Sequence, residues 1–117
     1  MWDKMQVNVQ TIDDETVVIN LAGDMTATSE AMLKAAYQQA STETTRNIIF
    51  NFQPDYYIDS LGVMALIQIV SEARKRKQRL SVSLPDLHSQ KIFRMVGLTC
   101  YTALYDNLEN ALMGIKH

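Results

Sequence analysis

The chain has 117 residues, 47% of them apolar and 21% charged, and a formal net charge of -2. That length suits one domain over residues 1–117, and the composition excludes a disordered chain. The acidic balance excludes a general nucleic-acid binder, which carries a basic excess. Cys100 is the single cysteine, so no internal disulfide and no cysteine-cluster zinc site is expected. The opening MWDKMQV turns polar too early for a secretory leader. The longest apolar stretch, Val63 to Val70, is interrupted by Gln68 and is too short to span a bilayer. The expectation is a cytoplasmic protein without membrane insertion.

Met5, Val7 and Val9 alternate with Gln6, Asn8 and Gln10, the period of a half-buried strand. Asp13-Asp14-Glu15 marks a turn, and TVVINLA follows as a β-branched second strand that Gly23-Asp24 ends. The chain thus opens with a hairpin. A first helix carries Leu33, Ala36, Tyr37 and Ala40 on one face, with Thr28 or Ser29 as its N-cap. NIIFNF reads as a third strand buried on both faces, and Pro54 breaks regular pairing after it. Ser60 to Lys77 is a second helix whose first half is apolar nearly all round, which predicts little exposure. LSVSL is a fourth strand. LHSQKIFRMV is a third helix with Ile92, Phe93 and Val96 inward, stopped by Gly97 as a C-cap glycine. CYTALY is a short fifth strand or connector. A last helix, capped by Asp106 or Asn107, shows Leu108, Leu112 and Ile115 on one face. The order β-β-α-β-α-β-α-β-α predicts an α/β fold: a mixed, mostly parallel sheet of about five strands, with an opening hairpin and about four helices.

Several chemistries have no foothold. There is no G-x-G-x-x-G and no G-x-x-x-x-G-K-[ST], and no cofactor is expected. His88 and His117 are the only histidines, and neither has a metal-ligand partner at suitable spacing, so no metal is expected. Ser60, His88 and an aspartate form a triad only on paper, because Ser60 lacks a G-x-S-x-G elbow. No catalytic residue is assigned. Cys100 has no basic neighbour in view and reads as a small core residue. The basic run Arg74-Lys75-Arg76-Lys77 with Arg79 reads as a solvated helix end that complements the helix dipole. An anionic partner is the second reading of that run.

The segment Ile58-Asp59-Ser60-Leu61-Gly62 stands out. It puts an acid, a hydroxyl and a glycine at the mouth of the most hydrophobic helix. In a βαβ unit, the loop after a strand's carboxyl end is where sites form. Asp59 or Ser60 can cap the free amides of the first helical turn, and Gly62 allows another surface to come close. A cap, a chemical group and a switch all remain open on pattern alone.

The ordered set of motifs resembles the STAS domain, and specifically the single-domain bacterial anti-sigma factor antagonists. INLAGDMT resembles that family's second strand and Gly-Asp/Glu-Ile-Asp loop. Asp59-Ser60-Leu61-Gly62 resembles its Asp-Ser-Ser/Thr-Gly motif at a helix start. ARKRKQRLSVSLP, Val96-Gly97-Leu98 and DNLENAL (Asp106 to Leu112) follow in the family's order, so the resemblance spans nearly the whole chain. It implies that Ser60 is phosphorylated by a partner anti-sigma factor, a serine kinase of the GHKL ATPase type. The unmodified antagonist binds that kinase and frees a sigma factor. The phosphorylated form lets go, and a phosphatase resets it. The implied partner surface is Asp24, Met25 and Thr26 with Asp59, Ser60, Leu61 and Gly62. Two positions depart from the family: Leu61 replaces a second small hydroxyl residue, and Thr26 stands where an aspartate is common. STAS domains also serve as scaffolds in signalling complexes and as subunits of lipid-transport complexes. In that alternative, Ser60 is only a helix cap.

Overall fold

The alternation of Val7 and Val9 with Gln6, Asn8 and Gln10 folds as strand β1 (Gln6–Thr11), paired antiparallel with β2 (Thr16–Met25). The turn between them is closed by Asp13, whose Oδ1 accepts from the amides of Glu15 at 2.9 Å and Thr16 at 2.8 Å. An aspartate that bonds the backbone two and three residues on is a turn former for that reason. The computed structural model describes residues 5–84, 87–95, 97–100 and 102–115. The remaining strands are β3 (Asn47–Ile58), β4 (Arg79–Ser83) and β5 (Ala103–Tyr105). The helices are α1 (Glu30–Ala40), α2 (Ser60–Lys75), α3 (Leu87–Met95) and α4 (Leu108–Ile115). The five strands lie in the order β1-β2-β3-β4-β5, parallel from β2 onward. This is the predicted α/β architecture, a mixed sheet with an opening hairpin.

Each crossover steps to the next strand in the same direction. Right-handed crossovers of that kind put every connecting helix on one face. Accordingly Leu33 and Tyr37 of α1, Leu66 and Ile69 of α2 and Phe93 of α3 share one core with Ile19, Ile48, Phe50 and Val82. Phe93 meets Phe52 edge to face, ring centroids 6.3 Å apart. On the opposite face, α4 covers Val18 and Ile49 with Ala111, Leu108, Leu112 and Ile115. The third strand is thus buried on both faces, as its apolar run predicted.

Several elements differ from the sequence reading. β3 does not stop at Phe52; it continues through Pro54 to Ile58. Its pairing with β2 jumps from Leu21 opposite Phe52 to Gly23 opposite Tyr56, so residues 53–55 bulge against Ala22. Proline has no N–H to give the ladder, and a bulge is where a strand tolerates it. β2 likewise runs on to Met25, so the two strands end side by side, Met25 opposite Ile58. α2 ends at Lys75, because Lys77 adopts a φ of 60° and the Gln78 amide turns back to the Ala73 carbonyl. On α3, Phe93 is buried but Ile92 is exposed, since one helical face suffices to cover the sheet there; Val96 lies outside the described residues. Gly97 does take the expected left-handed conformation, φ 82°. Only Ala103–Tyr105 of CYTALY is strand. Cys100 sits exposed in a short 3-10 turn, Leu98–Cys100, rather than in the core. Asn107 caps α4 through the Asn110 amide at 2.8 Å, while Asp106 accepts from Gln90 Nε2 at 2.8 Å.

At the far end of α2, the Tyr37 hydroxyl donates to Gln78 Oε1 at 2.7 Å. Burial raises the Tyr37 phenol above its ordinary value near 10, and the Arg76 guanidinium, 5.5 Å from the ring centroid, opposes the rise. The unfolded chain therefore loses this proton at a lower pH than the folded chain. The stability linked to Tyr37 is complete below about pH 10 and falls as pH climbs through the folded value. Chemical denaturation at neutral and alkaline pH should show this decline in the wild type, and a smaller one in Tyr37→Phe.

Candidate functional site

The site is built where β2 and β3 end together. The Asp59 amide donates to the Met25 carbonyl at 3.2 Å, which carries the strand pairing one residue further. Asp59 is in extended backbone (φ -100°, ψ 179°) and is the N-cap of α2. Its Oδ1 accepts from the Gly62 amide at 2.9 Å, and its carbonyl accepts from Val63 at 3.0 Å. Between Asp59 and Ser60, the capping side chain is therefore the aspartate. Asp59→Ala should cost about 0.5–2 kcal/mol, seen as a lower Tm, and Asp59→Asn should recover most of it.

Gly62 explains itself by what lies behind it. It is buried, and a Cβ there would run into the carbonyl oxygen of Met25, with the carbonyl carbon at 2.8 Å. The first turn of α2 thus rests directly on the end of β2. The close approach anticipated for Gly62 is an approach of backbone to backbone, inside the domain.

The loop leaving β2 is fixed by Ser29. Its Oγ donates to the Asp24 carbonyl at 2.9 Å and accepts from the Thr26 amide at 3.1 Å. Ser29 is the N-cap residue of α1, one of the two expected, but it is buried and its side chain makes no cap hydrogen bond. The Thr26 and Thr28 hydroxyls pair at 3.0 Å. Asp24 and Thr26 are half-buried beside the α2 corner. Met25 is a correction to the predicted partner surface. Its side chain is 1% exposed, so it supports the corner from inside, and only its carbonyl reaches the Asp59 loop.

Ser60 is exposed at the first position of α2, and its hydroxyl makes no hydrogen bond among the described residues. Beside it opens a cleft of about 410 Å³ between α2 and α3. Ile58, Asp59 and Ser60 form one end; Val63, Met64 and Ile67 line one wall, and Ser89, Ile92 and Phe93 the other. The lining is mostly apolar. Leu61 and Met64 are each about half exposed, at 51% and 54%. Ile67 is also exposed.

This corrects the expectation that the first half of α2 is hidden. Only Gly62, Val63, Ala65, Leu66, Ile69, Val70 and Ala73 are buried. The rest of its apolar surface faces outward. Met64, Ile67 and Ile92 were missed as site residues. Their signal was present: α2 carries more apolar positions than one buried face can use. The structure sets Asp24 and Thr26, at the end of β2, near Asp59, Ser60 and Leu61 at the start of α2, with Gly62 buried beneath them. The His88 side chain and His117 lie outside the described structure, and no cluster of potential metal ligands occurs among the described residues. No described helix is long and apolar enough to cross a membrane.

Comparison with known proteins agrees with this architecture. No curated protein matches the chain in sequence. Among solved structures, an anti-sigma factor antagonist from Mycobacterium paratuberculosis superposes with a TM-score of 0.78 at 16% identity, covering 97% of this chain and 96% of that one. The anti-sigma factor antagonist SpoIIAA in its unphosphorylated form gives 0.68 at 23% identity, covering 95% and 96%. The Bacillus cell fate determinant SpoIIAA in the phosphorylated form gives 0.65 at 23%, covering 94% and 99%. The STAS domain pattern matches residues 6–111, from the first strand into the last helix, and the chain belongs to the STAS domain family.

Proposed function

We infer that the chain is an anti-sigma factor antagonist: a binding module that holds a GHKL-type serine-kinase anti-sigma factor while Ser60 is unmodified. Phosphorylation of Ser60 releases the partner, a sigma factor is recaptured, and a phosphatase resets the switch in the cytoplasm. The observation that carries this reading is the place of Ser60, an exposed hydroxyl at a helix N-terminus on the rim of an apolar cleft. A kinase needs an accessible hydroxyl, and the cleft gives a partner apolar area to bury. The STAS relatives add support, because SpoIIAA has this fold and exists in both unphosphorylated and phosphorylated forms.

The partner surface in this reading is Asp24, Thr26, Asp59, Ser60 and Leu61, extended by Met64, Ile67 and Ile92. Met64→Ala should weaken partner binding about tenfold, a loss of about 1.4 kcal/mol, with little change in Tm. Titration of the kinase with the variant measures it. The reading as a whole is tested by peptide mass spectrometry after incubation with ATP and candidate GHKL kinases, with Ser60→Ala as control. A single phosphate on Ser60, absent from the control, is expected. A stably held partner and no phosphate at Ser60 would instead favour the scaffold or transport-subunit role.

A further inference from the structure

Among the described residues, strand β1 is an edge of the sheet and pairs with β2 alone. Its outer N–H and C=O groups form an open template for another strand. Natural edges are usually blunted by charge, proline, a bulge or shortness. β5, at the other edge, is only three residues long. β1 shows none of these protections. Gln6–Thr11 has no charged residue and no proline, and its register with β2 is unbroken.

The stretch Gln6-Val7-Asn8-Val9-Gln10 also reads the same in both directions. Laid antiparallel on a copy of itself about Asn8, it sets Gln6 against Gln10, Val7 against Val9 and Asn8 against Asn8. Carboxamides then face carboxamides on one side of the sheet, and valines face valines on the other. A carboxamide both donates and accepts, so it pairs with its own kind without bringing two like charges together. Inside the chain this chemistry is already in use. Asn51 Nδ2 donates to Asn20 Oδ1 at 2.7 Å, and Asn20 Nδ2 reaches Asn8 Oδ1 at 3.4 Å. The row Asn51–Asn20–Asn8 ends at the open edge. Val7 and Val9, half-buried on the other side, pack against the main core.

We propose that two copies of the chain associate through β1, antiparallel and centred on Asn8, into a continuous ten-stranded sheet with a carboxamide row running across the two-fold axis. The interface is isologous, the form a closed dimer requires. Ser60 plays no part in it.

Two measurements on the full chain test this pairing. In sedimentation equilibrium over a concentration series, the wild type should dimerise. Asn8→Lys, which sets two cations face to face, should be monomeric at the same concentrations. The second uses a Cys100→Ser background, because Cys100 is exposed. Residues directly opposite in an antiparallel pair lie about 4.5–5.5 Å apart at Cα, within disulfide reach. Asn8→Cys should therefore oxidise to a covalent dimer. Gln6→Cys alone should not, but an equal mixture of Gln6→Cys and Gln10→Cys chains should. A wild type that stays monomeric throughout overturns the proposal. So does a dimer untouched by Asn8→Lys, or one that cross-links equally at positions 6, 8 and 10. If Asn8→Lys fails to fold, the cysteine pattern decides alone.

Discussion

Gly62→Ala is expected to destabilise the domain by about 1–3 kcal/mol, the usual cost of forcing a methyl into filled space. The sign is not obvious from composition, since alanine in a helix is favoured over glycine by about 1 kcal/mol. The close approach decides it. The new Cβ meets the carbonyl group of Met25, which belongs to backbone rather than to a movable side-chain tip. That same carbonyl oxygen accepts from the Asp59 amide at 3.2 Å, so α2 cannot back away without opening the corner. Gly114 provides the contrast. A Cβ there meets the hydroxyl end of Tyr105, the tip of a side chain rather than backbone. Urea denaturation of both variants should rank Gly62→Ala well below Gly114→Ala in stability. Equal stabilities would mean that α2 does not rest on the end of β2. Because the corner carries Ser60, Gly62→Ala should also weaken partner binding.

The second large effect is on binding. Phosphate on Ser60 adds about −1.5 to −2 charges at pH 7. The free amides and positive dipole end of α2 can accommodate that charge locally, so the phosphorylated domain should keep a Tm close to that of the unmodified protein. A partner seated in the cleft meets it differently. A phosphate on Ser60 would stand beside Asp59, at the rim of a mostly apolar groove. An unpaired charge pressed into such an interface costs several kcal/mol. At about 1.4 kcal/mol per tenfold, about 3 kcal/mol already weakens binding a hundredfold. In the proposed switch, phosphorylation would therefore act on the complex and leave the fold alone.

Much of this was legible in the residues. Period-two alternation marked β1, and the spacing of Leu33, Ala36, Tyr37 and Ala40 marked the buried face of α1. The Asp-Ser-x-Gly corner fell at the carboxyl end of a strand, where the fold puts it. What was not legible depended on contacts between distant segments. Pro54 looked like the end of a strand, because a bulge that absorbs it is defined only by the register against β2. Met25 looked like part of an exposed loop, because burial of its side chain follows from α2 resting on β2. The cleft was hidden for a similar reason. A helix apolar on most sides reads as a buried helix, and the sequence does not say how far α3 stands from α2. Ser29 was legible as the N-cap of α1, but not the turn of its hydroxyl to Asp24 and Thr26, which depends on the short 3-10 turn Ala27–Ser29.

The most direct test of the off-switch compares partner affinity before and after modification. Protein carrying one phosphate on Ser60 and unmodified protein would each be titrated with the partner kinase, and Ser60→Ala would be titrated with and without ATP. The expected result is at least about a hundredfold weaker binding of the phosphorylated protein, with Ser60→Ala binding normally and ignoring ATP. Equal affinity of the two forms, or ATP-dependent release of Ser60→Ala, would contradict it.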